Sequence, residues 1–231
     1  MVKMAAFRKK ARGQTMIRVQ RIEPTASYET EVRIPGETFL ALNPSPTRDQ
    51  FKRHDYWKEI HDEIYDEYQG ICMYCASWTP RTPRGASFQQ TTIDHFISKG
   101  LVPKLAYAWS NFRLCRNDIN TKKGQDIYVP DPLGIRSEWF EIDFTTWRVG
   151  PSDNAPVYVK HRIRSAFVRL GLNEDAYIEE RQTAAAIYVH RPAERHELGL
   201  LYPFLTAELA RQSQGTDLLD ELHGLLPVPT V

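Results

Sequence analysis

Long apolar runs are absent from this chain. No stretch approaches the roughly 20 residues that a membrane-spanning helix needs, and no apolar segment follows the basic N-terminus as it would in a secretory signal. The sequence therefore predicts a cytoplasmic protein with no membrane partner. Cysteine is scarce: Cys72, Cys75 and Cys115 are the only three among 231 residues. An odd, small number does not build a disulfide framework. Charge of one sign is not in excess either, because the net charge is +1. The whole-chain balance thus points to no class of partner. No internal repeat and no long low-complexity tract stands out.

What is present is an ordinary globular composition, 42% hydrophobic and 26% charged. The length allows one domain with a sizeable core, or a small catalytic core with a helical companion. Charge is unevenly distributed along the chain. From Arg81 to Gly124 there are eight Lys or Arg and two acids, whereas from Glu174 to Leu225 there are ten acids and four basic residues. The first 23 residues carry seven Lys or Arg and one Glu. A basic middle suits a phosphate backbone. Solvated surface charge is the plainer reading of any one of these residues.

Residues 1–13 read as a basic arm. Residues 15–42, rich in β-branched residues, Pro and Gly, read as an extended or wrapping strand rather than a helix. Thr47 and Gln50 have capping-box spacing. Trp57, Ile60, Ile64 and Tyr68 then recur as one apolar helical face that Gly70 ends. The pair Cys72-x-x-Cys75 follows, then a loop over 76–90. Thr91 to Phe96 is a strand candidate, and Asn117 to Lys123 a brief helix closed by Gly124. Trp139 to Val149 alternates as a half-buried strand, with Phe140, Ile142 and Phe144 on one face. The C-terminal third predicts four helices: Val159 to Leu170 ending at Gly171, then 174–190, then Pro192 through Leu209, then a short leucine-rich segment.

The informative stretch is 91–124. It holds Asp94-His95 at a strand end, Asn111 after an aromatic-containing run, and Asn120 followed by Lys122-Lys123-Gly124. Singly, these residues are surface polarity, turn or cap residues and a charged helix end. Their joint order carries the reading. It resembles the HNH, or ββα-metal, nuclease motif, in which an Asp-His pair lies on the first strand, a middle Asn pins the loop, and a helix Asn or His completes the site. The nine-residue step from Asn111 to Asn120 and the Gly after the lysines match that pattern. Pro103-Lys104, Leu105-Ala106-Tyr107 and Trp109-Ser110-Asn111 resemble bacterial HNH proteins of restriction and phage defence. Val129 to Pro132, Trp139-Phe140 and Arg169 to Asn173 do so as well, and Septu-type nucleases are the nearest kind.

Phosphodiester hydrolysis needs an activated water and charge stabilisation on the phosphate and leaving oxygen. His95 can take the proton from water, since imidazole titrates near neutrality. Asp94 offers a hard anionic oxygen to Mg²⁺ or Mn²⁺, and Asn120 a neutral carbonyl oxygen to the same ion. Asn111 orients the loop that carries His95. Lys122, Lys123, Arg113 and Lys104 are candidates to hold phosphate oxygens. The resemblance implies products with 5′-phosphate and 3′-hydroxyl ends.

Many HNH proteins also hold a structural zinc with two C-x-x-C pairs. Cys72 and Cys75 fit the first pair, but Ile119 stands where the last cysteine is expected and Cys115 lies one residue early. Three thiolates with an oxygen from Asp118 or Asn117 is an uncommon set. The sequence therefore disfavours structural zinc and reads Cys115 as a small buried apolar residue.

The expectation is an α+β protein: an arm and wrapping segment over 1–50, a ββα-metal core with its preceding helix over 51–135, and a strand with a helical region over 136–231. The expected activity is metal-dependent DNA cleavage. A nucleic-acid-binding module without catalysis is one alternative. An effector subunit active only with an ATPase partner is another, mildly favoured by the near-neutral net charge.

Overall fold

The computed structural model describes residues 20–81 and 90–229. The arm over 1–13, the start of the wrapping segment and most of the loop after Pro80 lie outside the described residues. The fold mixes helices with two small antiparallel sheets. No helix among the described residues is long and apolar enough to cross a membrane.

The first departure from expectation is at the N-terminus. Instead of an extended strand, Tyr28–Arg33 forms a π-helical turn that runs into helix α1, Ile34–Leu42. Tyr28, Val32, Gly36 and Phe39 are the buried positions. Their spacing of three and four is helical, a signal masked by the β-branched residues around them. Pro35 falls at the junction of the two helical types, and lacking an N–H it donates no bond to the π-helical turn before it.

The capping box of Thr47 and Gln50 forms as expected and opens α2, Arg48–Arg53. The chain breaks at His54, makes a 3₁₀ turn over Tyr56–Lys58, and resumes as α3, His61–Glu67. One predicted helix is therefore three pieces. The apolar stripe survives the breaks, because Trp57, Ile60 and Ile64 all reach the core.

Strand β1, Thr91–His95, pairs antiparallel with β2, Phe112–Arg116, so that Asp94 lies opposite Arg113 and His95 opposite Phe112. Helix α4, Asn117–Lys123, follows directly and ends at Gly124, whose φ is +52°. This ββα unit lies between two apolar cores. Phe112 and Leu114 join one core with α1, Trp57 and Ile64, whereas Cys115 and Ile119 join the other with the C-terminal helices. The knuckle residue Met73 donates its N–H to Leu114 O at 3.0 Å, which ties Cys72-x-x-Cys75 to β2.

The predicted strand over 139–149 is a hairpin: β3, Phe140–Asp143, and β4, Arg148–Pro151. Phe140 and Ile142 are buried and Asp143 is exposed, as the alternation implies. Phe144 and Trp147 lie in the turn and are also buried. Helix α5, Val157–Leu170, closes on Gly171 in the left-handed region, and α6, Asp175–His190, follows. The third predicted helix divides at Tyr202 into α7, Arg195–Leu201, and α8, Pro203–Gln212, because Pro203 cannot continue α7. Helix α9, Leu218–Leu225, packs on α6.

Gly36 seats α1 on the loop between β1 and β2. A Cβ there would lie 2.2 Å from Tyr107 Cγ, and Tyr107 is itself buried. Gly36→Ala should therefore destabilise the protein by about 1–3 kcal/mol through overpacking, although alanine is the better helix former. Urea unfolding reads this directly. A variant as stable as the parent would show that α1 is not seated on Tyr107.

Candidate functional site

The loop from Phe96 to Asn111 leaves β1 and returns to β2, and Asn111 fastens it. The Asn111 Oδ1 accepts from Ile97 N–H at 2.7 Å, while Nδ2 donates to Ile97 O at 2.9 Å and to Leu105 O at 3.0 Å. Its backbone carbonyl accepts from Phe96 N–H at 2.9 Å. The side chain is fully engaged within the loop, so Asn111 is a positioning residue.

The fastened loop delivers Ala106 O to His95. The His95 Nε2 lies 2.8 Å from that carbonyl. A carbonyl only accepts, so Nε2 carries the proton and Nδ1 presents a lone pair. Among the described residues no hydrogen-bond partner meets Nδ1. Trp57 and Phe112 pack edge-on against the ring, with centroids at 4.6 and 5.4 Å. Burial, with help from the Lys99 charge, pushes the imidazole down to about 3. The ring is thus neutral throughout the physiological range, which differs from the near-neutral titration expected from the sequence.

Asp94, one residue earlier, points to the opposite face of β1. It is 2% exposed. Tyr74 OH donates to its Oδ2 at 2.5 Å, and Lys123 Nζ donates to its Oδ1 at 3.1 Å. Burial raises the carboxyl above its ordinary value, although Lys123 and Tyr74 pull the other way. Lys123 also donates to His95 O at 3.2 Å and Phe96 O at 3.0 Å. The ammonium therefore sits in a cluster of three oxygens.

That cluster accepts a cation, and its chemistry fits a hard divalent ion as well as an ammonium. Asn120 lies one turn before Lys123 on α4, hence on the same helix face. Its amide oxygen is the one expected from the sequence to meet such an ion. No group of three or more His, Cys, Asp or Glu among the described residues could hold a metal. A pairing of Asp94 with Asn120 would be completed by water and substrate oxygens.

The four cations expected at phosphates have different surroundings. Lys104 is exposed, with no ion pair among the described residues. Lys122 pairs with Glu174 at the start of α6. Lys123 is buried on Asp94. Arg113 is 1% exposed and grips Asp131 with two bonds of 2.8 and 2.7 Å, so its guanidinium is an internal tie rather than a surface clamp.

Two neighbours of the site escape sequence reasoning. Tyr74 lies inside the C-x-x-C pair, where it reads as knuckle packing, yet it holds Asp94. Lys99 sits in the pinned loop with its Nζ 4.7 Å from the Trp57 ring centre. No spacing rule marks either one.

The cysteines meet in the second core. Cys72 Sγ accepts from Arg116 N–H at 3.4 Å. Burial opposes its ionisation, but hydrogen bonds from Cys115 and Cys75 hold the thiol well below its usual value. Burial pushes Cys75 and Cys115 well up. Asp118 is held by Tyr177 OH at 2.7 Å and lies 3.5 Å from Arg116 Nε, so it is not turned to the sulfurs. Asp118 is therefore engaged elsewhere and does not join the three sulfurs.

The buried histidine has a consequence for stability. His95 titrates near 6.5 when unfolded and about 3 when folded. Above 6.5 both states are neutral and the fold is favoured in full. As pH falls from 6.5 toward 3, only the unfolded state gains the proton. Stability should drop by about 1 kcal/mol between pH 7.5 and 5.5 from this residue, and His61, lowered mainly by burial, adds in the same direction. Urea midpoints across that range should fall, and less steeply in His95→Gln. Equal slopes in the two proteins would contradict the assignment.

No family model and no curated protein matches the chain.

Proposed function

We propose that this chain is a divalent-metal-dependent endonuclease of the HNH type that hydrolyses phosphodiester bonds of DNA, in bacterial restriction or phage defence. The observation that carries the reading is the fixed tautomer of His95, with its Nε2 tied to Ala106 O and its Nδ1 lone pair open, one residue from the cation-accepting Asp94. A neutral, oriented imidazole can take a proton from water. Asp94 and Asn120 would hold the metal. When bound, such an ion supplies charge stabilisation at the scissile phosphate and the departing oxygen. Asn111 keeps the loop, and through it the imidazole, in register. Tyr74 holds the Asp94 carboxylate in one rotamer.

The test is cleavage of supercoiled plasmid, and of tRNA for comparison, with Mg²⁺ or Mn²⁺ and with chelator. Metal-dependent nicking or cutting that His95→Ala lacks supports the proposal. Equal cutting by both proteins removes His95 as the base. One observation favours a second reading, a DNA-binding module without catalysis: both Asp94 oxygens are already hydrogen-bonded, one of them to a buried ammonium. Metal-independent DNA binding with no cleavage in any cation would establish that alternative.

A further inference from the structure

A shielded ammonium without a carboxylate is uncommon, because taking a charge out of water is costly unless it is paired. Lys99 is such a group. It is more than half shielded and forms no ion pair or hydrogen bond among the described residues. The Trp57 ring attracts the cation at 4.7 Å, but a ring face leaves the three N–H donors without an acceptor. Asp94 and Asp55 are near enough to be felt. Each is already matched, Asp94 by Lys123 and Tyr74 and Asp55 by Lys58. Arg48 and Lys58 add positive charge to the same neighbourhood. Arg48 is exposed and, among the described residues, unpaired. The surroundings of Lys99 therefore lack one anion.

The lysine is also held in place. Asn111 grips Ile97 from both sides. Leu101 and Val102 both donate to Ser98 O, at 2.9 and 3.0 Å, which closes a turn around Lys99. The side chain leaves that turn toward the same Trp57 ring on which His95 packs. A cation fixed beside a candidate base, with donors open, is arranged for an incoming anion before that anion arrives.

We propose that Lys99 anchors a non-bridging oxygen of the substrate phosphate, so that the nucleic acid provides the counter-charge missing from the folded protein. The catalytic part of this inference rests on the nuclease reading; the binding of a phosphate oxyanion does not. Arginine can fill the same part less well, because its planar fork is longer and differently shaped.

The experiment uses the full chain as wild type, Lys99→Met and Lys99→Arg, with two readouts. In plasmid cleavage, Lys99→Met should lose about 10²–10³-fold in kcat/KM, as expected for a donor to a developing charge, and Lys99→Arg should recover at least about tenfold of it. In thermal unfolding without phosphate, Lys99→Met should be as stable as the parent or more so, since an uncompensated charge has been removed. Added inorganic phosphate should raise the wild-type midpoint and leave that of Lys99→Met unmoved. A Lys99→Met protein that cleaves within threefold of wild type, or that responds equally to phosphate, overturns the proposal while leaving the nuclease reading intact. A wild type that cleaves nothing overturns the reading of a nuclease active on its own, and the phosphate titration then decides Lys99 alone.

Discussion

His95→Ala is expected to lower metal-dependent DNA cleavage by about 10²–10⁴-fold, the usual contribution of a positioned general base. The ring has one nitrogen committed to Ala106 O, and the other meets no hydrogen-bond partner among the described residues. Alanine would also leave a cavity between Trp57 and Phe112, which frame the ring. A loss of activity could then reflect a loosened core. His95→Gln separates the two effects, because it refills most of the volume without supplying a base. Equal losses in both variants, with the glutamine protein near parental stability, assign the defect to chemistry. A glutamine variant with parental cleavage rates would end the general-base role.

Lys123→Met should be the most damaging single change to stability, at about 3–5 kcal/mol, the cost of stranding one member of a buried ion pair. Both partners are fully enclosed, with side-chain exposures of 0% and 3%, so solvent screening does not soften the estimate. The loss should depend on pH with a definite sign. The Asp94 carboxyl is already raised by burial, and removing its cation raises it further. A carboxyl that is easier to protonate when folded favours the fold as pH falls. The variant should therefore regain part of its deficit on acidification toward pH 5, after subtraction of the histidine slope seen in the parent. Asp94→Asn in the same background should relieve the deficit, since no charge remains to strand. Mg²⁺ or Mn²⁺ should raise the midpoint of Lys123→Met more than that of the parent, because the oxygen cluster is then free to take the metal. Parental stability in Lys123→Met would show that the pair does not hold the ββα unit together.

The parts of the fold legible in the sequence are those set by local chemistry. Thr47 with Gln50, Gly124 and Gly171 mark helix ends through hydrogen-bonding and backbone rules that act over a few residues. The alternation at Phe140 and Ile142 is likewise local. Elements whose burial is decided from afar are missed or misread. Strand β2 is enclosed on both faces and contains Arg113, so it shows neither alternation nor a continuous apolar run. Its arginine is tolerated because Asp131, far along the chain, meets it. The N-terminal helix hides for a related reason. Its β-branched residues suit a strand by composition, and the packing against Tyr107 decides otherwise.

At the candidate site, the residue types and their order are readable, whereas their protonation and pairing are not. The resemblance to the HNH motif singles out Asp94, His95, Asn111 and Asn120. It does not reveal that Lys123 closes on Asp94, that Arg113 is tied internally to Asp131 and Lys122 paired with Glu174 at the surface, or that His95 is held neutral. Those outcomes depend on burial, which arises only when both cores have formed around the hairpin.

The seating of α1 also bears on how this protein can be shortened. Tyr28 OH reaches Tyr107 O at 2.9 Å and receives Trp109 N–H at 3.0 Å, while Tyr107 OH reaches His54 O at 2.7 Å. Ala106, whose carbonyl orients the imidazole, is flanked by this bracing. A chain trimmed to begin at Arg48 would keep every residue named in the chemistry and still lose the splint that sets their angles. Its deficit would be one of alignment, and supplying the missing helix as a separate peptide is the remedy the contacts suggest.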